Sequence, residues 1–564
     1  MKSIPPPPST REVVAAALIM LVLGIAGTLQ AGRAGASFMR DLEVETPALA
    51  KMQPVLPDES MPRLARRVYV FIVDGLGYNR SFELPFLDEL RRRGVDLEAQ
   101  SHYPSWSRPN YVSILTGVPP PASGVRTNFH YSPVMLDSLM DRTKAAGLKV
   151  ALATDVAALP KLFLRPTMPT TLMANPDELE AMEDPKSPEA VSAPDAPLRT
   201  SFDDARYTPW PGGIVEAGAA LAGGDADLVI VLFEVVDAAG HAHGGKSPEY
   251  RDAALIADRT LQSILANVDL EQDAVVVTAD HGHTDRGGHG GVEPEVLSVP
   301  LVLAGAGVKP GALVYDARLI DVAPTVAALL GLPAPGHGLG RTLVEVLAAD
   351  HDVLVRRQIA DTMRTTTTQA VFAASEARAT TELLEWRALR LVFVAGGAVL
   401  ATLLAIGLMR RRVLKLDAKV LSVALPAFFF VYFALIGVVG QRFSPSLVRD
   451  EGHIAGSLIK YAVVGVAAQL LASLWVLRNL TVAQRLAAAN GLAWTGFMLT
   501  MIPAGIMWAF FQAPYVTVPG PYWLVLIPAL QVAVACAAAN IGLTLLVEVI
   551  VFASRAGYRR AGLE

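Results

Sequence analysis

Six long apolar runs constrain this chain more than any other feature of its sequence. They are residues 13–31, 389–409, 419–440, 455–477, 486–511 and 523–553. Each run is long enough to cross roughly 30 Å of hydrocarbon as an α-helix. Charged residues still make up 18% of the chain, which is too many for a protein built only of membrane spans. The sequence therefore predicts one N-terminal and five C-terminal spans around a water-soluble middle.

Basic residues alternate along the C-terminal runs and predict their orientation. They follow the second, fourth and sixth runs, as Arg410, Arg411, Arg412, Lys415, Lys419, Arg478, Arg485, Arg555, Arg559 and Arg560. The loops between carry only Arg442 and Arg449. Because cytoplasmic loops are enriched in Lys and Arg, the basic ends are expected in the cytoplasm and residues 32–388 outside it. We accordingly predict a multi-pass plasma-membrane protein, with an extracytoplasmic middle that is periplasmic in a bacterium.

Composition excludes two other classes of protein. The net charge of −5 leaves no basic surface for nucleic acid, since the basic clusters lie beside the apolar runs. Cys536 is the single cysteine and lies inside an apolar run, so one chain can form neither a disulfide framework nor a cysteine metal site. Any bound metal must then be held by His, Asp and Glu.

The predicted domain organisation follows from these runs. Residues 1–35 form the cytoplasmic tail and anchor, 36–350 the outer domain, 351–388 a polar helical connector and 389–564 the five-span domain. Within the outer domain, residues 160–212 are rich in Pro, Asp and Glu and indicate an exposed insertion.

Short β-branched runs alternate with helical stretches in the outer domain. Residues 66–75, 225–237 and 272–282 are examples, and they are typical of strands buried on both faces of a mostly parallel sheet. Each run contains an aspartate near its end: Asp74, Asp237 and Asp280. Because parallel strands present their carboxyl ends at one edge of a sheet, we expect these carboxylates to meet there.

Histidines surround two of these aspartates. Asp237 and His241 are four residues apart, so one turn of helix would place both on one face and let them share a metal. His281 adjoins Asp280, and His289 follows a glycine-rich loop that can bend back to the same point. Carboxylate and imidazole ligands suit zinc or manganese, and two metals are a known arrangement for displacement at phosphorus.

Several neighbouring polar residues have roles that the spacing leaves open. His243 is expected to support the site indirectly or to lie at the surface, and Asp285 to cap a turn. For His283, a solvated loop position and a substrate-facing one are equally compatible with the sequence. A nucleophile is supplied by residues 103–117, where Ser105 and Ser107 both precede a helix start at which the backbone favours an anionic phosphate.

Five segments in this order resemble the alkaline phosphatase superfamily. They are "VFIVDG", "SWSRPNYVSILTG", "VVDAAGHAHGGKSPEY", "DHGHTDRGGHGG" and "LIDVAPTVAALLGLP", within residues 66–345. The motifs are similar to those of the type I phosphodiesterase/nucleotide pyrophosphatase branch and most of all to the GPI ethanolamine phosphate transferases, which share the Ser-Arg-Pro and Gly-His-Ala-His elements. The resemblance implies an alkaline-phosphatase-like α/β fold, with a mostly parallel sheet flanked by helices.

The resemblance also implies the site. One metal would be held by Asp237, His241 and His289, and a second by Asp74, Asp280, His281 and the hydroxyl of the nucleophile. That nucleophile is then Ser107, and Asn128, 21 residues further on, would bind a phosphoryl oxygen. The two divalent ions are expected to be zinc, with manganese as the alternative.

The implied activity is transfer of a phosphoethanolamine-like group from a phospholipid donor to a lipid or glycan acceptor through a phospho-serine. Two alternatives remain open from the sequence. The chain could be a phosphodiesterase or nucleotide pyrophosphatase that uses water as acceptor, or a catalytically inactive membrane assembly protein. The loss of a metal ligand would support the third alternative, whereas every position that the resemblance implies is filled.

Overall fold

The computed structural model describes residues 22, 29, 38–57, 61–163, 170–174, 213–438, 444–447, 454–478, 482–511, 517–534 and 536. The chain divides into two compact units. The first consists of Leu42–Arg378 together with Pro445–Asp450. The second consists of Met1–Asp41, Ala379–Ser444 and Glu451–Glu564.

A seven-stranded sheet forms the centre of the first unit. Its strands are β1 Val68–Val73, β2 Gly94–Gln100, β3 Val150–Thr154, β4 Thr170–Ala174, β5 Leu228–Phe233, β6 Ala274–Thr278 and β7 Ser298–Gly305. The strand order is β2-β7-β6-β1-β5-β3-β4, and among these described strands the pairings of β7 with β2 and β6 are antiparallel and the others parallel. The predicted α/β fold with a mostly parallel sheet is thus confirmed.

Eleven short or medium helices of the first unit flank or connect these strands in the described residues. They are α1 Tyr78–Ser81, α2 Pro85–Arg93, α3 Ser107–Thr116, α4 Pro120–Ser123, α5 Leu139–Ala145, α6 Ala158–Phe163, α7 Ile214–Ala222, α8 Val235–His243, α9 Pro248–Leu265, α10 Pro294–Leu297 and α11 Val322–Leu329. Short 3-10 turns occupy Leu49–Lys51, Leu319–Asp321, Val344–Val346 and Pro445–Leu447.

Four of the strands are largely apolar because they are buried on both faces of the sheet. Every residue of β1, β3, β5 and β6 is buried, which explains their continuous runs of Val, Ile, Leu and Ala. One strand lies inside the segment that we expected to be an insertion, because β4 pairs with β3. Residues 175–212 of that expected insertion lie outside the described residues.

Four helices are long and apolar enough to cross a membrane in the part of the chain that is described. They are contained in α12 His351–Arg410, α13 Ala418–Val438, α14 Ile454–Leu477 and α15 Val482–Phe510. They correspond to the second to fifth predicted spans. A shorter apolar helix, Pro521–Val534, begins the sixth, whose later residues are not described. Of the first predicted span, only residues 22 and 29 are described.

Helix α12 is a single element of 60 residues, so the predicted connector and the second predicted span are continuous. Two buried arginines near its beginning, Arg357 and Arg364, attach the helix to loops of the first unit. Arg357 donates hydrogen bonds to the carbonyls of Leu332 and Pro324, and Arg364 to that of Gly338. These charged hydrogen bonds fix the start of the helix where an apolar contact alone would allow sliding.

Candidate metal centre

Polar residues from four chain segments meet at one edge of the sheet. Asp74 directly follows β1, and Asp280 comes two residues after β6. Ser107 is the first residue of α3. Asp237 was expected at a strand end, but β5 ends at Phe233, so Asp237 lies in the first turn of α8 instead. The early start of this helix gives Asp237 and His241 the common face that their spacing predicts.

The first group contains Asp237, His241 and His289. The two imidazoles approach each other with 3.0 Å between their Nε2 atoms. Asp237 lies 3.4 Å from Nε2 of His241 through Oδ2 and 3.6 Å from Nε2 of His289 through Oδ1. A tetrahedral ion with bonds of about 2.0–2.1 Å keeps its ligand atoms about 3.3 Å apart, so these separations suit one bound cation.

The second group contains Asp74, Asp280 and His281. Nε2 of His281 lies 3.4 Å from Oδ1 of Asp74 and 3.2 Å from Oδ2 of Asp280. The Ser107 hydroxyl lies 3.2 Å from the same nitrogen. These distances again match the edges of a tetrahedral ligand shell.

Hydrogen bonds fix which imidazole nitrogen faces each group. Nδ1 of His281 donates to the carbonyl of Gly282 at 3.2 Å, and Nδ1 of His289 donates to the carbonyl of Ser105 at 2.9 Å. With Nδ1 carrying the proton, the lone pair of each ring lies on Nε2, which is the atom directed at the carboxylates.

His283 is buried beside the first group, so it does not occupy a solvated loop position. Its ring is buried, and its Nδ1 accepts a hydrogen bond from the backbone of Gly288. The proton is therefore on Nε2, which donates to Oδ1 of Asp237 at 2.8 Å. A third grouping, of Asp237, His281 and His283, is also compact enough for a cation. It offers one ligand fewer, because the Nε2 of His283 carries a proton.

The buried carboxylates call for a positive charge. Oδ1 of Asp74 and Oδ2 of Asp280 accept no hydrogen bond from any described residue. Burial, with the charge of Asp237, raises the pKa of Asp280 to about 7. Burial and the charges of Asp280 and Asp237 also raise the pKa of Asp74. A divalent cation would satisfy these oxygens and favour their ionised form, so the residues present fit a metal.

Two tyrosines that the sequence analysis did not single out position the carboxylate edge. Tyr111 is buried and donates its hydroxyl hydrogen bond to Oδ2 of Asp74. Tyr250 accepts from the backbone of Gly77 at 3.0 Å and donates to the carbonyl of Gly75, which holds the turn after β1. A signal for Tyr111 exists in the sequence, because it lies four residues after Ser107 and therefore on the same helix face.

The remaining residues singled out from the sequence differ in burial and contacts. Oδ1 of Asn128 accepts a hydrogen bond from the backbone of Arg108 at 2.9 Å, beside the start of α3. Ser105 is fully buried and bonds to backbone groups of Gly290 and Gly291. His243 is exposed. Asp285 is also exposed and pairs with Lys246 at 2.6 Å.

Comparison with known proteins assigns this part of the chain. Residues 68–295 match the family described as type I phosphodiesterase/nucleotide pyrophosphatase. The first unit carries a type I phosphodiesterase/nucleotide pyrophosphatase domain. The matched range includes Asp74, Ser107 and His289, and hence both ligand groups of this domain. The predicted family resemblance is confirmed.

Curated relatives agree with the finer resemblance. Human GPI ethanolamine phosphate transferase 3, catalytic subunit, is 26% identical over 292 residues, covering 48% of this chain and 24% of that protein. Mouse GPI ethanolamine phosphate transferase 1 is 24% identical over 345 residues, covering 53% of this chain and 35% of that protein. The chain thus spans about a quarter to a third of the length of these relatives.

Among solved structures, murine ectonucleotide pyrophosphatase/phosphodiesterase 5 is similar to this chain. It is 13% identical, with a TM-score of 0.35, and the match covers 48% of this chain and 96% of that one. The comparison with the GPI ethanolamine phosphate transferases does not support the predicted plasma-membrane location. The four apolar helices make the protein a membrane protein.

Proposed function

We propose that the chain is a two-metal phosphotransferase that moves a phosphoethanolamine-like group from a phospholipid to an alcohol on a lipid or glycan. The observation that carries the proposal is the position of the Ser107 hydroxyl, 3.2 Å from Nε2 of His281 at the first residue of a helix. A nucleophile here adjoins the second ligand group and lies at a helix start, where backbone N–H groups attract the anionic phosphate.

In the first step, Ser107 attacks the phosphorus of the lipid donor. The Ser107 oxygen forms a bond to phosphorus, and the bond from phosphorus to the glycerol oxygen of the lipid breaks. Diacylglycerol leaves with the proton that Ser107 gives up, and the phosphoethanolamine group remains on Ser107. When bound, divalent metals, with zinc the first choice and manganese the second, supply positive charge for the serine oxygen and the phosphoryl oxygens.

The second step decides between transfer and hydrolysis. In transfer, an acceptor alcohol bonds to phosphorus, the phosphorus–Ser107 bond breaks, and the serine hydroxyl regains a proton. In hydrolysis, water takes the place of the alcohol. Transfer is favoured by the relatives, which are named as ethanolamine phosphate transferases, and by four membrane-crossing helices where one would suffice as an anchor.

Mass spectrometry of the phospho-enzyme tests this proposal. Purified protein is incubated with vesicles of phosphatidylethanolamine, quenched in acid and digested. We expect the peptide containing Ser107 to gain the mass of a phosphoethanolamine group, with release of diacylglycerol. A bare phosphate on Ser107 would contradict the proposed phospholipid donor and indicate a phosphomonoester donor. Absence of any adduct, with both this lipid and a nitrophenyl phosphodiester, would contradict a covalent mechanism.

A second prediction concerns Asn128. Its Oδ1 is occupied by the backbone N–H of Arg108, which fixes the amide plane beside Ser107. We propose that the amide nitrogen donates to a phosphoryl oxygen whose charge grows in the transition state. Asn128→Ala should therefore lower kcat/KM by an amount equivalent to about 2–4 kcal/mol. Asn128→Asp keeps the Oδ1 acceptor and loses the donor, so it should lose at least as much. Unchanged kcat/KM in Asn128→Ala would exclude this role.

The side of the membrane follows from the charge pattern and is part of the same proposal. The basic residues after the second and fourth predicted spans place those ends in the cytoplasm, so the phosphodiesterase domain lies on the opposite side. The domain boundaries, 36–350 for the outer domain and 389–564 for the membrane domain, are proposed from the apolar runs.

A further inference from the structure

A short segment from the C-terminal part of the chain belongs to the first unit. The turn Pro445–Leu447 lies in sequence between α13 and α14, two membrane-crossing helices. Nevertheless, Pro445–Asp450 groups with the phosphodiesterase unit. Ser446 within this turn is fully buried. A buried serine in the connection between two spans needs partners for its hydroxyl group.

Those partners lie on the loop that follows His289. The Ser446 hydroxyl accepts a hydrogen bond from the backbone N–H of Gly291 at 2.8 Å and donates to Oε2 of Glu293 at 2.7 Å. It therefore joins a backbone group and a side chain that are two residues apart. Ser446 therefore contacts the loop at Gly291 and Glu293, the second and fourth residues after the candidate metal ligand His289.

Ser105 holds the other side of the same loop. Its hydroxyl accepts from the backbone N–H of Gly290 at 2.9 Å and donates to the carbonyl of Gly291 at 2.8 Å. Its own carbonyl accepts the Nδ1 proton of His289 at 2.9 Å. The backbone of Gly291 is consequently held at two atoms, its carbonyl by Ser105 and its N–H by Ser446.

The conformation and packing of this loop require glycine at position 290. Its φ of +113° lies in the region that favours glycine, and a Cβ there would come within 2.4 Å of the indole nitrogen of Trp106. The loop cannot gain rigidity from a bulkier residue at this position. Hydrogen bonds from outside the loop must therefore fix the backbone that presents the His289 ring.

We propose that Ser446 is a positioning residue of the metal centre, through which the α13–α14 connection holds the His289 loop. The proposal rests on the proposed metal centre. It gives the C-terminal membrane region a function beyond anchoring, because the connection between two of its helices supports one metal ligand. It also requires that this connection and the phosphodiesterase domain lie on the same side of the bilayer.

Amide hydrogen exchange in the metal-free, full-length protein tests the loop contact by itself. In Ser446→Ala, the N–H of Gly291 loses its acceptor, so peptides covering residues 288–297 should exchange about fivefold faster than in the wild type. Ser446→Thr keeps the hydroxyl group and should retain slow exchange. Equal exchange in the wild type and Ser446→Ala would overturn the proposal, as would acceleration spread evenly over Leu42–Arg378.

Zinc titration then tests the connection to the metal. The wild type should bind two equivalents, and Ser446→Ala should bind one of them about tenfold more weakly, the effect typical of losing support for a ligand. In a His289→Ala background, Ser446→Ala should have no further effect on zinc affinity. An undiminished effect in that background would overturn the link to His289. A wild type that binds no zinc or manganese would contradict the proposed metal centre, whereas the exchange experiment would still decide the loop contact.

Discussion

Replacement of Ser107 by alanine is expected to remove the covalent intermediate and to lower turnover at least about a thousandfold. The physical reason is that the Ser107 oxygen is the atom proposed to attack phosphorus, and alanine has no hydroxyl group. Metal binding should survive, because Asp74, Asp280 and His281 remain as ligands of the second group. The measurements are diacylglycerol release from phosphatidylethanolamine, adduct mass and zinc stoichiometry on the same preparation.

Ser105→Ala is the matched control, since it removes an equally small hydroxyl two residues away. Ser105 bonds to Gly290 and Gly291, so its loss should loosen the His289 loop and reduce turnover by about tenfold or less. The adduct on Ser107 should still form. An inactive Ser105→Ala beside an active Ser107→Ala would show that the nucleophile was wrongly chosen, and full activity in both would eliminate the phospho-serine.

Much of the site could be predicted because its residues come from local patterns with simple geometry. The strand-end rule brings Asp74 and Asp280 to one edge whatever the details of packing. The helical spacing of Asp237 and His241 predicts a common face, although the residues were expected to follow the strand directly. Here the helix begins at Val235, immediately after Glu234, so the prediction of a shared face survives the wrong boundary.

His283 shows why other parts could not be predicted. Its burial depends on the close approach of the loop after β6 to α8, where a Cβ on Gly240 would come within 2.2 Å of the His283 ring. The local sequence of neither segment predicts that approach. Tyr250 and Ser446 are further cases, because each bonds to a loop more than 150 residues away in sequence. Such contacts follow from tertiary packing and leave no periodic signal.

The strand β4 was missed for a related reason. Its sequence, Thr170–Ala174, is short and lies in a region rich in proline and acidic residues, which indicates a loop. Among the described strands it lies at the edge of the sheet and pairs only with β3. An edge strand buries less surface and therefore carries a weaker apolar pattern than the central strands.

Asp237→Asn is expected to lower both zinc affinity and turnover, because Asp237 is a proposed ligand of the first metal. Asp237 provides an oxygen to the first group, accepts a hydrogen bond from Nε2 of His283, and lies 4.0 Å from Nε2 of His281. Burial raises the pKa of Asp237, but the charge of His241 and the hydrogen bond from His283 outweigh it and hold the pKa below its ordinary value. The carboxylate is thus ionised and ready to bind a cation at neutral pH.

Asparagine keeps the shape of this side chain and removes its charge, so the change tests the charge alone. Zinc affinity of the group formed with His241 and His289 should fall at least about a hundredfold, beyond the usual effect of losing a supporting residue, and turnover should fall with it. One equivalent should remain on Asp74, Asp280 and His281, because those ligands are intact. His243→Ala is the matched control on the same helix, since this exposed histidine should affect neither stoichiometry nor rate. Two equivalents bound with unchanged affinity by Asp237→Asn would exclude Asp237 as a ligand, and the loss of both would mean that the two groups form a single site.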